Sequence, residues 1–86
     1  MSNSVFNLPP WEGVSRPVGF VWRLTKCGRE GSCRIWTHPH GGELRVEAGG
    51  TLIRSAVCLD METLVRTALM WKTEFRRTGW LASLNP

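Results

Sequence analysis

Between Gly19 and Cys58 the chain runs through four short segments in which apolar and polar side chains alternate, separated by gaps of only a few residues. They are GFVWRLTKC, SCRIWTH, ELRVEA and TLIRSAVC. A period of two indicates strands with one buried and one solvated face. Gaps this short exclude parallel crossovers, which need a dozen or more residues, so successive strands must lie antiparallel. The segment after them changes period. Met61, Leu64, Val65, Ala68, Leu69, Trp71 and Phe75 recur at helical spacing. Asp60 is placed to cap the start, with Glu62 in the first turn. Arg76 and Arg77 complement the last turn, and Gly79 follows it. A helix of roughly 18 residues spans about 27 Å, enough to cross a four-stranded sheet. The sequence therefore predicts an α+β fold: a four-stranded antiparallel meander sheet packed on one face by a C-terminal α-helix (ββββα).

The turns set the expected register. Gly49-Gly50 reads as a two-residue primed turn pairing Ala48 with Thr51 and Arg45 with Arg54. Pro39 to Gly42 reads as a four-residue turn that pairs His38 with Glu43, Arg34 with Glu47 and Trp36 with Arg45. A loop of Gly28 to Gly31 pairs Leu24 with Ile35 and Arg23 with Trp36. A five-residue loop would swap the faces of the first strand and expose its apolar side. One face then carries Trp22, Leu24, Ile35, Leu44, Val46 and Ile53 toward the helix. The other carries Arg23–Trp36–Arg45–Arg54 as its central row, with Arg34 and His38 at the margins. Phe20 alternates with the helix-facing set.

With 86 residues the chain has room for one domain. Residues 18–81 form it, residues 1–17 an irregular arm rich in Pro, Gly, Ser and Asn, anchored through Phe6 and Trp11, and residues 82–86 a frayed tail. Five Trp and three Phe give so short a chain an efficient core. MSNSVFNLPPWEG has neither the basic nor the apolar region of a signal peptide, no apolar run reaches the roughly 20 residues of a membrane helix, and three cysteines do not make an even disulfide framework. A cytoplasmic protein that does not engage membranes is expected.

Eleven Lys and Arg against seven Asp and Glu give a net charge of +4. Nine of the eleven are Arg, the residue suited to planar anions and to stacking on rings. Two directly opposed arginines, Arg45 and Arg54, would repel. Stacking on Trp36, or an anion held between them, would offset that. An exposed tryptophan among arginines on an open sheet is how sheet-surface modules hold single strands, the ring stacking on a base and the arginines meeting phosphates. Metal chemistry finds little support. Cys27, Cys33, His38, His40 and Cys58 lack the usual ligand spacings, and alternation sends Cys33 and His38 to opposite faces. His38 with Glu43 is the one acid–base couple on offer, and no nucleophile accompanies it. The sequence thus points to a non-enzymatic module, without cofactor or metal, binding single-stranded nucleic acid through Arg23, Arg34, Trp36, His38, Arg45 and Arg54. The alternative is a protein-interaction or homodimerisation module using the same face.

The segments WRLTKCGREGSCRIWTHPHGGELRV and RTGW resemble those of small uncharacterised bacterial proteins of about this size, over roughly residues 20–80. The resemblance implies one domain and brings neither an activity nor a site. Four antiparallel strands followed by a helix is also similar in order to Whirly-type and transcriptional-coactivator single-strand-binding proteins. That likeness is one of topology without a shared motif.

Overall fold

The computed structural model describes residues 8–82. Its elements are β1 (Pro17–Lys26), β2 (Arg29–His38), β3 (Gly41–Ala48), β4 (Thr51–Cys58), α1 (Met61–Arg77) and β5 (Leu81–Ala82). The fold is α+β: one open antiparallel sheet, in the order β4-β3-β2-β1-β5, with the C-terminal helix on one side. The strand count is five, not the four read from the sequence. The helix leaves from β4 at one edge of the sheet and ends over the other. There Trp80 packs on Phe75, with ring centroids 5.6 Å apart, and covers Gly31, where a Cβ would lie 2.9 Å from its ring. That contact sets the next residues beside β1, so Leu81 pairs with Thr25 and Ala82 with Leu24. Two residues are too few for a legible alternation. The expected anchor Phe6 lies outside the described residues.

All three hairpin turns are tight. Gly49 and Gly50 adopt φ of 60° and 83°, the left-handed pair of a primed turn. Cys27 and Gly28 do the same at 53° and 78°, so β1 and β2 run on to Lys26↔Arg29 and the expected Gly28–Gly31 loop is absent. The second connection is Pro39-His40, with His38 paired to Gly41. The Gly41-Gly42 pair belongs to β3. Gly41 takes φ of 135°, and a Cβ there would collide with the Cys58 carbonyl, while Gly42 lies under Leu64 and Leu8, where a Cβ would sit 2.7 Å and 3.1 Å from their methyl groups. Their glycine character answers to the helix N-terminus arriving on the sheet, not to a turn.

The Gly49-Gly50 turn pairs Ala48 with Thr51 as expected, but the first two turns are shorter than expected, and there neighbours shift by even numbers of residues. Trp36 faces Glu43 instead of Arg45, Arg34 faces Arg45 instead of Glu47, and Ile35 faces Leu44 instead of Val46. Leu24 faces Gly31, and Arg23 faces Ser32. An even shift leaves every side chain on its face. Two bulges do not. Between Phe20↔Arg34 and Trp22↔Cys33 an extra residue, Val21, moves Phe20 from the helix side to the outer face. Between Val46↔Arg54 and Glu47↔Leu52 the extra residue is Ile53, and Arg54 moves to the helix side. Arg45 therefore pairs with Ser55, and the row Arg23–Trp36–Arg45–Arg54 does not form.

The core lies between sheet and helix. Leu24, Cys33, Leu44, Val46, Leu64 and Ala68 are sealed from solvent, with Trp22, Ile35 and Trp71 nearly so. Buried Trp22 donates its indole N–H to the Ala68 carbonyl at 2.7 Å, which ties β1 to the middle of α1. Asp60 caps the helix, its carboxylate accepting from Thr63 N–H at 2.8 Å. Leu69 is half exposed, so the buried stripe is narrower than the periodicity implied. Among the described residues no helix is long and apolar enough to cross a membrane.

Candidate functional site

The outer face of the sheet is built by alternate residues of β1, β2 and β3. The bulge at Val21 brings Phe20 onto this face beside Arg34. Its ring lies 3.9 Å from the guanidinium carbon of Arg23 and 4.4 Å from that of Arg34. Arg34 also approaches the Trp36 ring at 5.7 Å, and Arg45 stacks on that ring at 4.2 Å. The result is a ladder, Arg23–Phe20–Arg34–Trp36–Arg45, with three cations interleaved by two rings. Cation–π contacts at such exposed sites contribute about 0.5–1 kcal/mol each. They offset the repulsion between Arg34 and Arg45, which face each other directly.

The three arginines are not equivalent. Arg45 donates from Nε and Nη2 to Glu43 Oε1, at 3.1 Å and 2.9 Å, and from Nη2 to Ser15 Oγ at 3.2 Å. The chain before β1 holds Ser15 there. Thr37 N–H donates to the Arg16 carbonyl, and Arg16 N–H donates to Thr37 Oγ1, both at 2.8 Å. The Ser15 hydroxyl donates to the Thr37 carbonyl at 3.2 Å. The Arg45–Glu43 pair is largely shielded, so the charge of Arg45 is answered within the protein. Among the described residues Arg23 and Arg34 form no ion pair. Phe20, between them, is 44% exposed. The indole N–H of Trp36 is shielded from water and has no acceptor among the described residues, an arrangement that costs about 1–3 kcal/mol in the free protein.

Of the residues expected from sequence, Arg23, Arg34, Trp36 and Arg45 come together. His38 lies at the end of β2 on the same side, its Nδ1 accepting from the His40 N–H at 3.1 Å, and it pairs with Gly41 rather than Glu43. Arg54 is separated from the others by the sheet. It pairs with Glu74 at 2.8 Å and lies 5.1 Å from the Trp71 ring, at the rim of an open cavity of about 320 Å³ floored by Ile53, Phe75 and Trp80. A comparison with protein-family models, curated proteins and solved structures finds no match to the chain.

Among the described residues no three His, Cys, Asp or Glu side chains are grouped to hold a metal ion. Burial pushes the Cys33 thiol up to about 12, so it stays protonated and inert. Phe20 and Ser15 belong to the face and escape a reading by alternation, whereas Glu43 is on the expected face with Trp36 as its neighbour instead of His38. Phe20 escapes because a bulge reverses its side, and Ser15 because it precedes the first strand.

Proposed function

We propose that this chain is a small non-enzymatic module that binds single-stranded nucleic acid through the outer face of its sheet, with Arg23 and Arg34 as phosphate contacts and the exposed part of Phe20 between them as the apolar contact for a base. The observation that carries the reading is the contrast within the ladder. Arg45 is neutralised by Glu43 and serves to hold Trp36, whereas Arg23 and Arg34 flank an exposed ring without a carboxylate partner among the described residues. An exposed aromatic edge between two guanidiniums that have no carboxylate partner among the described residues suits the alternation of base and phosphate along an unpaired strand. His38 is a marginal contributor on this reading, and Arg54 is not part of the site.

The test is a titration of the chain with unstructured oligonucleotides at low salt, followed by tryptophan fluorescence and amide shifts of β1 and β2. Binding is expected to weaken at least tenfold in Phe20→Ala and in Arg34→Ala, with circular dichroism unchanged. Fluorescence and amide shifts that stay still at saturating oligonucleotide would overturn the reading. The second reading, a protein-interaction face, is favoured by the exposure of Leu52 and Val57 beside the same face. It predicts that oligonucleotides fail while Phe20→Ala abolishes capture of a protein partner.

A further inference from the structure

The two edges of the sheet differ. The outward side of β1 is irregular. Pro17 has no N–H to offer, bulges interrupt the pairing between Pro17 and Gly19 and between Phe20 and Trp22, and β5 covers Leu24 and Thr25. At the other edge, β4 pairs with β3 alone among the described residues. Its eight residues leave a row of backbone donors and acceptors facing outward. Edge strands are ordinarily blunted by Pro, by Lys, by brevity or by bulges. TLIRSAVC has neither Pro nor Lys, and its bulge at Ile53 leaves Arg54–Cys58 in regular pairing. The strand's one charge, Arg54, is turned to the helix side and answered by Glu74 at 2.8 Å. Leu52, Ile53 and Val57 are 54%, 51% and 47% exposed, and Leu59 just beyond is 78% exposed.

We propose that β4 is a self-association edge, at which two copies of the chain pair their β4 strands antiparallel about a two-fold axis to form one continuous ten-stranded sheet. The occupant follows from the chemistry of the edge. Outward backbone N–H and C=O groups are satisfied along their length by another extended strand. An antiparallel strand is self-complementary about a two-fold axis, so a second copy presents the matching row of donors and acceptors. Both copies are basic, yet the seam is neutral because each Arg54 carries its own counter-charge. Leu52 and Val57 lie on the same outer face, where each would bury against the partner's strand. The irregular, partly covered β1 edge stops the association at two copies, where an open edge would propagate a fibre. The pairing does not depend on the proposed function. It would set both Arg–Phe–Arg–Trp ladders on one side of the joined sheet. Their β2 strands would be five strand spacings apart, on the order of 24 Å.

An edge pairing of this kind buries less than the roughly 1,200 Å² of standard interfaces, so the dimer is expected to be weak and to dissociate on dilution. Sedimentation velocity of the full chain over a wide concentration range tests it, with Leu52→Lys/Val57→Lys as the variant. Both positions are exposed, and circular dichroism checks that the variant keeps its fold. The wild-type chain is expected to shift reversibly from monomer to dimer, and the variant to remain monomeric throughout. Amide exchange within residues 51–58 should slow with concentration in the wild type alone. A wild-type chain that is monomeric at every concentration overturns the proposal, as does a dimer that survives Leu52→Lys/Val57→Lys. A dimer lost in Phe20→Ala but not in that variant overturns it too, and would place the contact on the outer face.

Discussion

Cys33 is a small side chain with a large pH consequence. It is completely buried beneath the helix, and desolvation pushes its thiol from an ordinary 9.0 up to about 12. Below pH 9 the folded and unfolded chains both keep the proton, and the group leaves stability unchanged. Above it the unfolded chain releases the proton first, so stability falls as pH rises toward 12. Thermal unfolding followed from neutral to strongly alkaline pH should therefore show a falling Tm. Cys33→Ala should begin at a lower Tm yet fall less steeply over the same interval. A parallel slope in the two proteins would assign the alkaline loss to other groups. In the native protein a thiol reagent should modify Cys27, which is exposed, well ahead of Cys33 and Cys58.

The glycines make a second contrast at this scale. An alanine at Gly41 would place its Cβ against the Cys58 carbonyl and next to Leu59 backbone, at a φ of 135°. The loss should well exceed the ~1–2 kcal/mol that an unfavourable φ alone costs. Gly50→Ala has the same kind of φ penalty with open space around it, so it should stay near that lower figure. Denaturant midpoints of the two variants give the comparison, and equal losses would show that the contact with Cys58 is not tight.

The elements themselves were legible, while their neighbours were not. Alternation finds β1 to β4 because each has one buried face, and helical spacing with Asp60 and Arg76 finds α1. Register depends instead on turn length. Two glycines in a row resemble a turn, and Gly41-Gly42 is a place where Leu64 and Leu8 lie too near for a Cβ. A bulge leaves no mark in hydrophobic patterning because Val21 and Ile53 are themselves good strand residues. For that reason alternation puts Arg23, Arg34, Trp36 and Arg45 on one side of the sheet, where they lie, but puts Phe20 and Arg54 on the wrong sides. β5 was invisible because its two residues are placed by Trp80 and not by a pattern of their own. One consequence belongs to the helix. Leu64, fully buried like Ala68, lies over the Gly42 gap, so Leu64→Ala should remove about 2–5 kcal/mol. Val65, half-buried beside it, should cost less when truncated. A denaturant series that ranks Val65→Ala above Leu64→Ala would contradict this packing.

At the scale of the whole molecule, the question is where a net charge of +4 acts. Arg76 and Arg77 end the helix on one side of the sheet, and Arg66 is occupied by Glu62 at 3.1 Å. Arg23 and Arg34 lie on the other side, stacked with Phe20. If attraction to a single strand were diffuse, each lost arginine would weaken it equally. A sited interaction gives a different result. Each phosphate neutralised on a single strand contributes a salt slope of about −0.7, so two contacts give roughly −1.4. Arg23→Ala and Arg34→Ala should each lower the slope by about 0.7, and the pair together should leave little salt dependence. Arg76→Ala/Arg77→Ala removes the same charge from the protein and should leave both affinity and slope nearly unchanged. Affinities measured against salt for these variants distinguish the cases. Equal slopes for the two double variants would mean that net charge, and not the ladder, draws the strand.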